Sequence, residues 1–395
     1  MSVWPTLSVR RLFSIVNGGT PTTQGWNWGG AVAWATPVDL AHVNGGVLKT
    51  TERTLTEDGL RTGSRAVPPG SLLLSTRAPI GYVAEVSNRT AFNQGCRGLV
   101  PTVPVNVRYF RYQLSSLTER LNAWGQGSTF VELSSDALAT FPLVVPSPAI
   151  QQTIADYLDR ETSRIDVLIA AKRRMAKLLE ERLAIYRRQL LMSPDHVLQP
   201  LKRTWRVVDC KHRTPTYVDQ GYPVISPGDA TPGRLEVSRA HRFVSEADYR
   251  DLTSAGRQPR KGDVIYSRNA SIGIAAFVDT DKPVCMGQDV CLISSDHASQ
   301  LFLTYFLNSL GLDQLEEQKV GSTFSRVNIA QILELIVPTP NPGDQRRIAQ
   351  QLDEGTMSQQ AVASRLETQI MLLRERRQAL ITAAVTGQLD IPEAA

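Results

Sequence analysis

Pro-Ser-Pro-Ala-Ile-Gln-Gln-Thr-Ile-Ala-Asp-Tyr-Leu-Asp (146–159) is the stretch of sequence that decides the fold, because the chain repeats it. Seven of its residues recur 194 positions later, as Pro340, Pro342, Gln345, Ile348, Ala349, Leu352 and Asp353. At the same offset, Gly-Ser-Thr-Phe (127–130) returns at 321–324, which makes 11 identities over the 33 positions 127–159. A period of about half the chain is too long for a solenoid. It predicts two copies of one unit, each made of a globular module and one long helix.

Length and composition agree with this organisation. A chain of 395 residues is long enough for two or three domains, each with its own core. A hydrophobic content of 42% and a charged content of 21% are ordinary for a soluble globular protein. The formal net charge of +5 is compatible with nucleic-acid binding but does not require it.

The sequence shows no clear targeting or membrane segment and no cysteine motif. Residues 1–5 do not combine a charged region with a following apolar run, and no stretch approaches the ~20 apolar residues that a membrane helix needs. The four cysteines have no Cys-x-x-Cys spacing and no histidine at zinc spacing; they are Cys96, Cys210, Cys285 and Cys291. We therefore expect reduced thiols in a cytoplasmic, soluble protein.

Two long helices are predicted. From 149 to about 191 the chain has no Gly and no Pro, which predicts the first long helix, and a second long helix is expected at about 343–385. The first carries an apolar stripe at steps of 3, 4 or 7: Ile154, Leu158, Ile165, Ile169, Ala176, Leu179, Leu183, Tyr186 and Leu190. The second mirrors it with Leu352, Ala363, Leu366, Ile370, Leu373, Leu380 and Ala384. Such stripes are typical of a coiled-coil seam, and packing the two helices antiparallel would bury both.

The remainder is broken by Gly and Pro into short apolar runs, which predict strands. Expected strands are 32–34, 71–74, 82–86 and 98–100 in the first half, and 224–226, 263–266, 274–278 and 290–293 in the second. Single helices are expected at 107–124 and 301–315. The predicted fold class is α+β, with two similar mixed modules separated by the long helices. The expected boundaries are 1–148 for the first module, 149–192 for the first helix, 193–342 for the second module, and 343–395 for the second helix and tail.

The chain resembles the DNA-specificity (S) subunits of type I restriction–modification systems, the HsdS family. The resemblance covers nearly the whole chain and rests on the segments 146–159 and 338–353, the helix end Leu-Leu-Arg-Glu-Arg-Arg-Gln-Ala-Leu-Ile-Thr-Ala-Ala-Val-Thr-Gly (372–387), and three shorter motifs. These are Gly-Gly-Thr-Pro (18–21), Ser-Thr-Arg-Ala-Pro-Ile-Gly (75–81) and the two Gly-Ser-Thr-Phe turns.

This resemblance implies two target-recognition domains, each reading one half of a split sequence in double-stranded DNA. The helices would fix the spacer between the halves and dock two methyltransferase (M) subunits, with restriction (R) subunits recruited to the assembly. Cofactors would belong to these partners: S-adenosylmethionine in the M subunit, and ATP and Mg in the R subunit. No cofactor is expected on this chain.

Catalytic motifs are missing from the sequence. The chain has no Gly-x-x-x-x-Gly-Lys-Ser/Thr phosphate loop, and its five histidines are scattered without metal-ligand spacing. We expect no catalytic residue and no metal, and therefore no enzyme. Two alternatives stay open: a self-contained DNA methyltransferase or nuclease with a degenerate active site, and a coiled-coil adaptor with two protein-binding modules and no role on DNA.

Candidate DNA contacts are polar side chains in Gly-rich loops and at strand ends, since base edges and phosphates are read by Arg, Lys, Asn, Gln and hydroxyls. The first-module candidates are Thr20, Thr22, Gln24, Asn27, Thr76, Arg77, Gln126, Ser128 and Thr129. The second-module candidates are Lys211, His212, Arg213, Thr214, Arg268, Asn269, Lys319, Ser322 and Thr323. Because both modules share the Gly-Ser-Thr-Phe turns, we expect these turns to hold the helix or grip phosphate and not to read sequence.

Overall fold

A computed structural model of the chain describes residues 4–77, 79–127, 131–319 and 326–391. It divides into two compact units: the first contains residues 1–172 and 367–395, and the second contains residues 173–366. Each unit thus combines one predicted module with a part of each long helix. Within the described ranges, every helix is too short or too polar to cross a membrane.

Three sheets form the strand framework of the first unit. Its strands are β1 (Thr6–Ser8), β2 (Phe13–Asn17), β3 (Trp28–Ala35), β4 (Gly46–Leu48), β5 (Arg53–Leu55), β6 (Arg65–Val67), β7 (Leu72–Thr76), β8 (Ile80–Val86), β9 (Thr90–Phe92), β10 (Cys96–Pro101) and β11 (Pro142–Val144). The main sheet has five strands in the order β2-β10-β7-β8-β4, and a four-stranded sheet has the order β5-β3-β9-β6. β1 pairs with β11 close to the start of the first long helix.

Five short helices complete the first module: α1 (Pro37–His42), α2 (Glu57–Gly63), α3 (Val107–Ser116), α4 (Thr118–Ala123) and α5 (Ser135–Thr140). The prediction of one helix over 107–124 is wrong, because the chain breaks at Leu117 between α3 and α4. The hydroxyls of Ser115 and Ser116 donate to the carbonyls of Tyr112 and Gln113, three residues back. Such local bonds compete with the helical ladder and favour its end.

The long helix α6 (Pro148–Leu191) follows, and the second module repeats the plan of the first. Its strands are β12 (Leu198–Pro200), β13 (Arg206–Asp209), β14 (Tyr217–Val218), β15 (Tyr222–Ile225), β16 (Gly233–Arg234), β17 (Phe243–Val244), β18 (Val264–Ser267), β19 (Ala275–Phe277), β20 (Cys285–Met286), β21 (Val290–Ser294) and β22 (Ile336–Pro338). The main sheet again has five strands, in the order β13-β21-β18-β19-β16, and a second sheet has the order β14-β17-β15-β20. The two main sheets share one topology, which confirms the predicted α+β fold with an internal repeat.

The helices of the second module are α7 (Glu246–Leu252), α8 (Gln300–Leu307), α9 (Leu310–Lys319) and α10 (Ile329–Leu333), and the second long helix is α11 (Pro342–Val385). The single helix expected over 301–315 is also wrong, since α8 ends at Asn308. The Asn308 side chain both donates to and accepts from the backbone of Ala275. This pairing with a neighbouring strand fixes the chain where the helix would otherwise continue.

The residues repeated between the halves attach the long helices to the modules. In the first unit the Gln151 side chain accepts from the backbone of Asn106 at 2.9 Å, and the hydroxyl of Tyr112 donates to Asp159 at 2.7 Å. The same two contacts recur in the second unit. There Gln345 accepts from Ser299 at 2.8 Å, and Tyr305 donates to Asp353 at 2.9 Å.

In each unit the two long helices contact each other. In the first, Lys172 donates to Gln369 at 2.6 Å, and Arg377 lies 3.1 Å from Asp166. The partner number falls from 377 to 369 as the α6 number rises from 166 to 172, so the helices are antiparallel there. In the second unit Arg187 donates to Thr356 at 3.0 Å. The predicted packing of the two helices as an antiparallel pair is confirmed.

Candidate nucleic-acid interface

In the first unit, three strand ends of the main sheet lie side by side and gather several predicted site residues. The strand register places Asn17 opposite Arg97, and Ser75 opposite Cys96. β7 therefore ends beside the start of β10, and Arg77 follows it directly. Functional side chains often lie on loops that a rigid sheet positions at its strand ends. We call this row of strand ends the edge of the unit, and it is the candidate site of the first unit.

A small ionic network organises this edge. Arg97, whose side chain is 11% exposed, lies 3.0 Å from the carboxylate of Glu132, and Arg77 lies 3.7 Å from the other carboxylate oxygen. Arg97 also donates to Ser135, which in turn donates to Asn17 at 2.7 Å. Of the predicted contacts here, Arg77 is thus partly engaged by Glu132. Thr76, another predicted contact, is fully buried, and its hydroxyl donates to the carbonyl of Gly95 at 3.4 Å.

The Gly-rich loop after β2 is tied to the same edge. Thr20 donates to Gln94 at 2.5 Å, and Asn27 donates to the hydroxyl of Thr22 at 2.9 Å. Asn27 is 3% exposed and holds the loop from inside. Thr22 and Gln24 are exposed and remain accessible from solvent.

An open groove of about 440 Å³ lies along this loop. It is lined by Asn17, Gly18, Gly19, Arg61, Thr62, Gly63, Ser64 and Arg65. Among these described lining residues two are cationic and none is acidic. Guanidinium groups beside small residues suit a phosphate of DNA. The phosphate can approach the protein main chain closely there and accept from its N–H groups.

In the second unit the corresponding edge is built around a buried arginine. Arg268 is 3% exposed, and its Nη2 lies 2.6 Å from Oδ1 of Asp209. Its backbone N–H donates to the carbonyl of Asp289. The carboxylate of Asp289 accepts from the Asn269 side chain at 3.3 Å and lies 3.1 Å from the guanidinium of Arg326. Asp289 has a φ of 65°, in the left-handed region that is costly for a residue other than glycine. Such backbone strain concentrates at functional sites.

The cations predicted to contact DNA in this unit are held by an acidic helix. Arg213 lies 2.5 Å from both Asp248 and Asp251 of α7, and Lys211 also pairs with Asp251. Lys211 and Arg213 together hold the pKa of Asp251 below its usual value. The Asp251 carboxylate thus stays ionised near neutral pH and occupies a position that a phosphate oxygen would take on these cations.

One contact is shared by both edges. Gln288 donates to the hydroxyl of Thr214 at 2.8 Å, and it occupies the position of Gln94, which binds Thr20. The offset between the two pairs is the 194 residues of the repeat. A contact common to both units is suited to holding the loop and not to reading different bases.

These geometries can be set beside known proteins. A family model described as the type I restriction modification DNA specificity domain matches residues 1–173 and 211–368, well over half of the chain. The chain belongs to this family. The resemblance inferred from the repeated motifs is thereby confirmed.

Two curated specificity subunits are similar to parts of this family member. That of the type I restriction enzyme MjaIX of Methanocaldococcus jannaschii is 35% identical over 182 residues, 45% of this chain and 41% of the relative. That of EcoR124I/EcoR124II of Escherichia coli is 22% identical over 201 residues, 48% of each. The chain therefore spans about half the length of the curated relatives it matches.

Solved structures support the fold. One, from work on complex assembly and conformational transition of the type I R-M system, has a TM-score of 0.77 at 15% identity and covers 98% of both chains. The HsdS subunit from Thermoanaerobacter tengcongensis has a TM-score of 0.59 at 14% identity, covering 98% of this chain and 97% of that one. At such identities the likeness concerns the fold alone.

A possible metal cluster in this specificity-family chain does not fit a metal. Donor atoms of Asp209, Cys210 and His212 lie within 4.8 Å of one another. However, Asp209 already faces the guanidinium of Arg268, and different ring nitrogens of His212 face its two neighbours. A buried cation at this carboxylate disfavours a second one, so no metal is assigned to these residues.

The remaining predicted residues lie beside the first edge, at the end of a helix, or outside the described residues. Gln126 is exposed and pairs its backbone with Glu132. Lys319 ends α9. Ser128, Thr129, Ser322 and Thr323 lie outside the described residues.

Sequence reasoning missed the acidic and amide partners that shape both edges, together with one arginine: Gln94, Glu132, Asp209, Asp248, Asp251, Gln288, Asp289 and Arg326. A signal existed for only two of them, because Gln94 and Gln288 recur at the repeat offset. The remaining partners come from distant segments, and no spacing rule identifies them.

Proposed function

We propose that this chain is the DNA-specificity subunit of a type I restriction–modification complex. Each module reads one half of a bipartite target in double-stranded DNA, and the chain itself performs no catalysis. One observation carries this proposal. The two units share the backbone contacts that form a common frame at their strand ends, but the side chains at these strand ends differ. The family membership supplies the class of ligand.

The frame is constant in its backbone contacts. Leu133 donates its N–H to the carbonyl of Thr76 at 2.9 Å, and Val327 donates to Arg268 at 2.8 Å in the second unit. The segment after each Gly-Ser-Thr-Phe motif is therefore bound to the same strand end in both units. This constancy would hold two different reading surfaces in one geometry.

The side chains at the edge differ between the two units in charge and size. Where the first unit has Gly18 and Gly19, the repeat offset places His212 and Arg213 in the second. Glu132 likewise corresponds to Arg326. Since hydrogen-bond donors and acceptors specify bases, two edges with different donors would read different half-sites.

The long helices provide a surface for partners. In the first unit Val167 is 65% exposed, and in the second Ile185 is 59% exposed. Other exposed apolar residues on the two helices are Leu168, Met175, Leu178, Met357, Met371 and Leu372. Apolar groups in this number suit a protein interface. We assign them to two methyltransferase subunits, with restriction subunits joining the same assembly.

Cofactors then belong to the partners, with S-adenosylmethionine in the M subunit and ATP and Mg in the R subunit. The predicted boundaries 1–148, 149–192, 193–342 and 343–395 remain part of this proposal, as do a cytoplasmic location and the role of the helices in fixing the spacer. Half-sites read from one face of DNA lie about 34–36 Å apart or further. Lengthening both helices should therefore lengthen the spacer.

The test is modified-base sequencing of DNA from cells that express this chain with its methyltransferase partner. Methyl-adenine at one split motif with a fixed gap, lost when this chain is deleted, is the expected result. Replacing residues 1–148 by the equivalent module of a relative should change one half of the motif and leave the other intact.

The contrary result is equally definite. If an active methyltransferase partner is present and no methylation depends on this chain, the DNA-reading function is wrong. Retained assembly with that partner would then favour the adaptor, and S-adenosylmethionine binding by the isolated chain would favour the enzyme.

A further inference from the structure

Trp26 is the most exposed of the described tryptophans. Hydrogen bonds from polar side chains to base edges do not account for this exposed indole. Its side chain is 66% exposed, whereas Trp34 is 4% exposed and Trp124 is 36% exposed. The neighbouring aromatic rings are covered: Trp28 packs edge-on against Trp34, and the guanidinium of Arg53 lies 3.5 Å from the Trp28 ring centre. The indole of Trp26 is thus presented to solvent from within an otherwise packed aromatic region.

The turn that carries Trp26 is fixed on both sides. It is a short 3-10 turn, Gly25–Asn27, whose carbonyl at Trp26 accepts from the hydroxyl of Thr56 at 2.8 Å. The carbonyl of Asn27 accepts from the backbone of Thr56 at 3.0 Å. Trp28 also donates from its indole to the carbonyl of Thr22 at 2.9 Å. A large side chain on a backbone held this way loses little further freedom on binding, which favours affinity.

The two faces of the turn differ in the space around them. On the inner face a Cβ at Gly59 would lie 2.2 Å from the carbonyl oxygen of Asn27, and one at Gly30 would lie 2.5 Å from that of Leu55. On the outer face a Cβ at Gly25 or Gly29 would meet no described atom within 4 Å. The inner face is packed backbone on backbone, and the outer face beside Trp26 is open.

The residues near Trp26 favour nucleic acid as the ligand of its indole. Exposed Thr22 and Gln24 flank the indole on the N-terminal side, and both suit base edges or phosphates. The groove with Arg61 and Arg65 adjoins the same loop, because a Cβ at Gly63 would lie 2.4 Å from Cα of Pro21. A partner protein would be expected to meet an extended apolar patch here, whereas polar and cationic residues adjoin this loop, as expected for a ring that inserts between bases beside the phosphates of a duplex.

We infer that Trp26 stacks on a base of the first half-site and acts as an apolar wedge at one base step. This inference rests on the proposed function and adds a contact that recognises the deformability of the step and not a base edge. Side chains inserted between base pairs unstack them, and pyrimidine–purine steps deform most easily. Trp26 is then a specificity-determining residue whose preference comes from stacking.

The first experiment titrates the full chain with a 40-base-pair duplex that carries the split motif found by sequencing, and follows tryptophan fluorescence. Stacking on a base should quench the wild-type signal. W26F should lose most of the quenching, while W124F, the matched change at the next most exposed described tryptophan, should keep it. Quenching that persists in W26F would overturn the inference.

The second experiment uses the duplex with the split motif found by sequencing, with 2-aminopurine placed in turn at each step of the first half-site. Wild type should raise the fluorescence at one step, and W26A should abolish that rise and weaken binding about 10-fold, the order that one stacked base contributes. W26F should recover most of the affinity because it retains an aromatic face.

Failures of the two proposals can be told apart. Wild-type binding to the motif with equal affinity in W26A and no 2-aminopurine signal overturns the Trp26 contact and leaves the specificity function standing. Absence of DNA binding by the wild-type chain in complex with its methyltransferase partner overturns both. Because Trp26 is exposed, an unchanged melting temperature in W26A is expected and shows that the variant is folded.

Discussion

Arg326 Nη2 lies 3.1 Å from Oδ1 of Asp289, and the residue at the position of Arg326 in the first unit carries the opposite charge. There Glu132 takes the place of Arg326 and lies 3.0 Å from Arg97. Each ion pair joins the segment that follows the Gly-Ser-Thr-Phe motif to the main sheet, at Arg97 of β10 in the first unit and at Asp289, just before β21, in the second. The two units therefore hold this segment with ion pairs of opposite polarity at different positions of the sheet.

Reversing this pair in the first unit should be correctable by a second change. Glu132→Arg places a cation against Arg97, whose side chain is 11% exposed, so we expect a loss of about 1–3 kcal/mol in the free energy of unfolding. Adding Arg97→Glu should restore most of that loss. Urea unfolding of the single and double variants measures the coupling. Additive losses would show that the pair contributes nothing specific to the frame.

Asp159 anchors α6 to the first module. Its substitution should destabilise the protein much more than substitution of an acidic residue further along the same helix. Asp159 accepts from Tyr112 at 2.7 Å and lies 3.1 Å from Arg111, whose side chain is 6% exposed. Asp159→Asn should cost about 1–3 kcal/mol, because Arg111 keeps Glu85 as its other partner.

The control is Asp166→Asn, which removes an exposed ion pair with Arg377. A cost below about 1 kcal/mol is expected for such a pair. Equal costs for the two variants in thermal unfolding would contradict an anchoring role for Asp159.

The sequence predicts the helices well because their signal is local. The stripe through Ile154, Leu158, Ile165 and Ile169 is buried as the heptad spacing indicates, whereas the predicted burial of Tyr186 is wrong, since its side chain is 40% exposed. Repetition adds more, since Gln151 and Gln345 recur because each fixes the start of a module helix. A pattern that repeats within a chain thus identifies the contacts of the frame without any structure.

The candidate site is predicted less well, because charge pairing depends on tertiary contacts. Arg268 follows a strand and resembles a base contact in sequence, yet Asp209, 59 positions earlier, neutralises it in the interior. Thr76 is likewise buried. No local spacing separates such residues from exposed ones such as Gln24, so polar type and position at a strand end are insufficient.

Thiol chemistry should report on folding and not on function. Burial raises the pKa of Cys96 and of Cys285 to about 12 and raises that of Cys291 further, and Cys210 is 2% exposed. Ellman's reagent should therefore label none of the four rapidly at pH 8 in the native chain, and all four after unfolding.

The same burial has a pH consequence. The unfolded thiols ionise near their ordinary pKa of about 8.5, whereas the folded thiols remain protonated. Stability should thus fall as pH rises above about 8.5. Rapid native labelling of one thiol at pH 8 would place that cysteine at the surface.

The exposed apolar positions of the long helices should matter for assembly and not for stability. Val167 is 65% exposed in the first unit, so Val167→Lys should change the free energy of unfolding by less than about 0.5 kcal/mol. It should, however, reduce copurification of the methyltransferase partner. Ser163→Lys adds the same charge at a nearby exposed polar position and should leave copurification intact. Equal effects would mean that charge and not the apolar contact is responsible.

Neutralising Asp251 should strengthen non-specific DNA binding by the second module. Its carboxylate holds Lys211 and Arg213, and their charges keep its pKa low, so it competes with phosphate at any pH above the ordinary aspartate value of about 3.9. Asp251→Asn removes that competitor. We expect tighter binding to a random duplex and a salt dependence steeper by about one phosphate contact, measured by anisotropy over a range of salt concentrations.

Asp281→Asn is the matched control, since it changes an aspartate of the same module whose side chain is 86% exposed and pairs with Lys261. It should raise affinity less, because its partner is already largely hydrated. As pH falls through the lowered pKa of Asp251, protonation should weaken the competition in wild type and bring it toward the variant. Weaker binding by Asp251→Asn than by wild type at pH 7 would have the opposite meaning: the carboxylate would then position the two cations for DNA, and its loss would leave them free to move away from the phosphates.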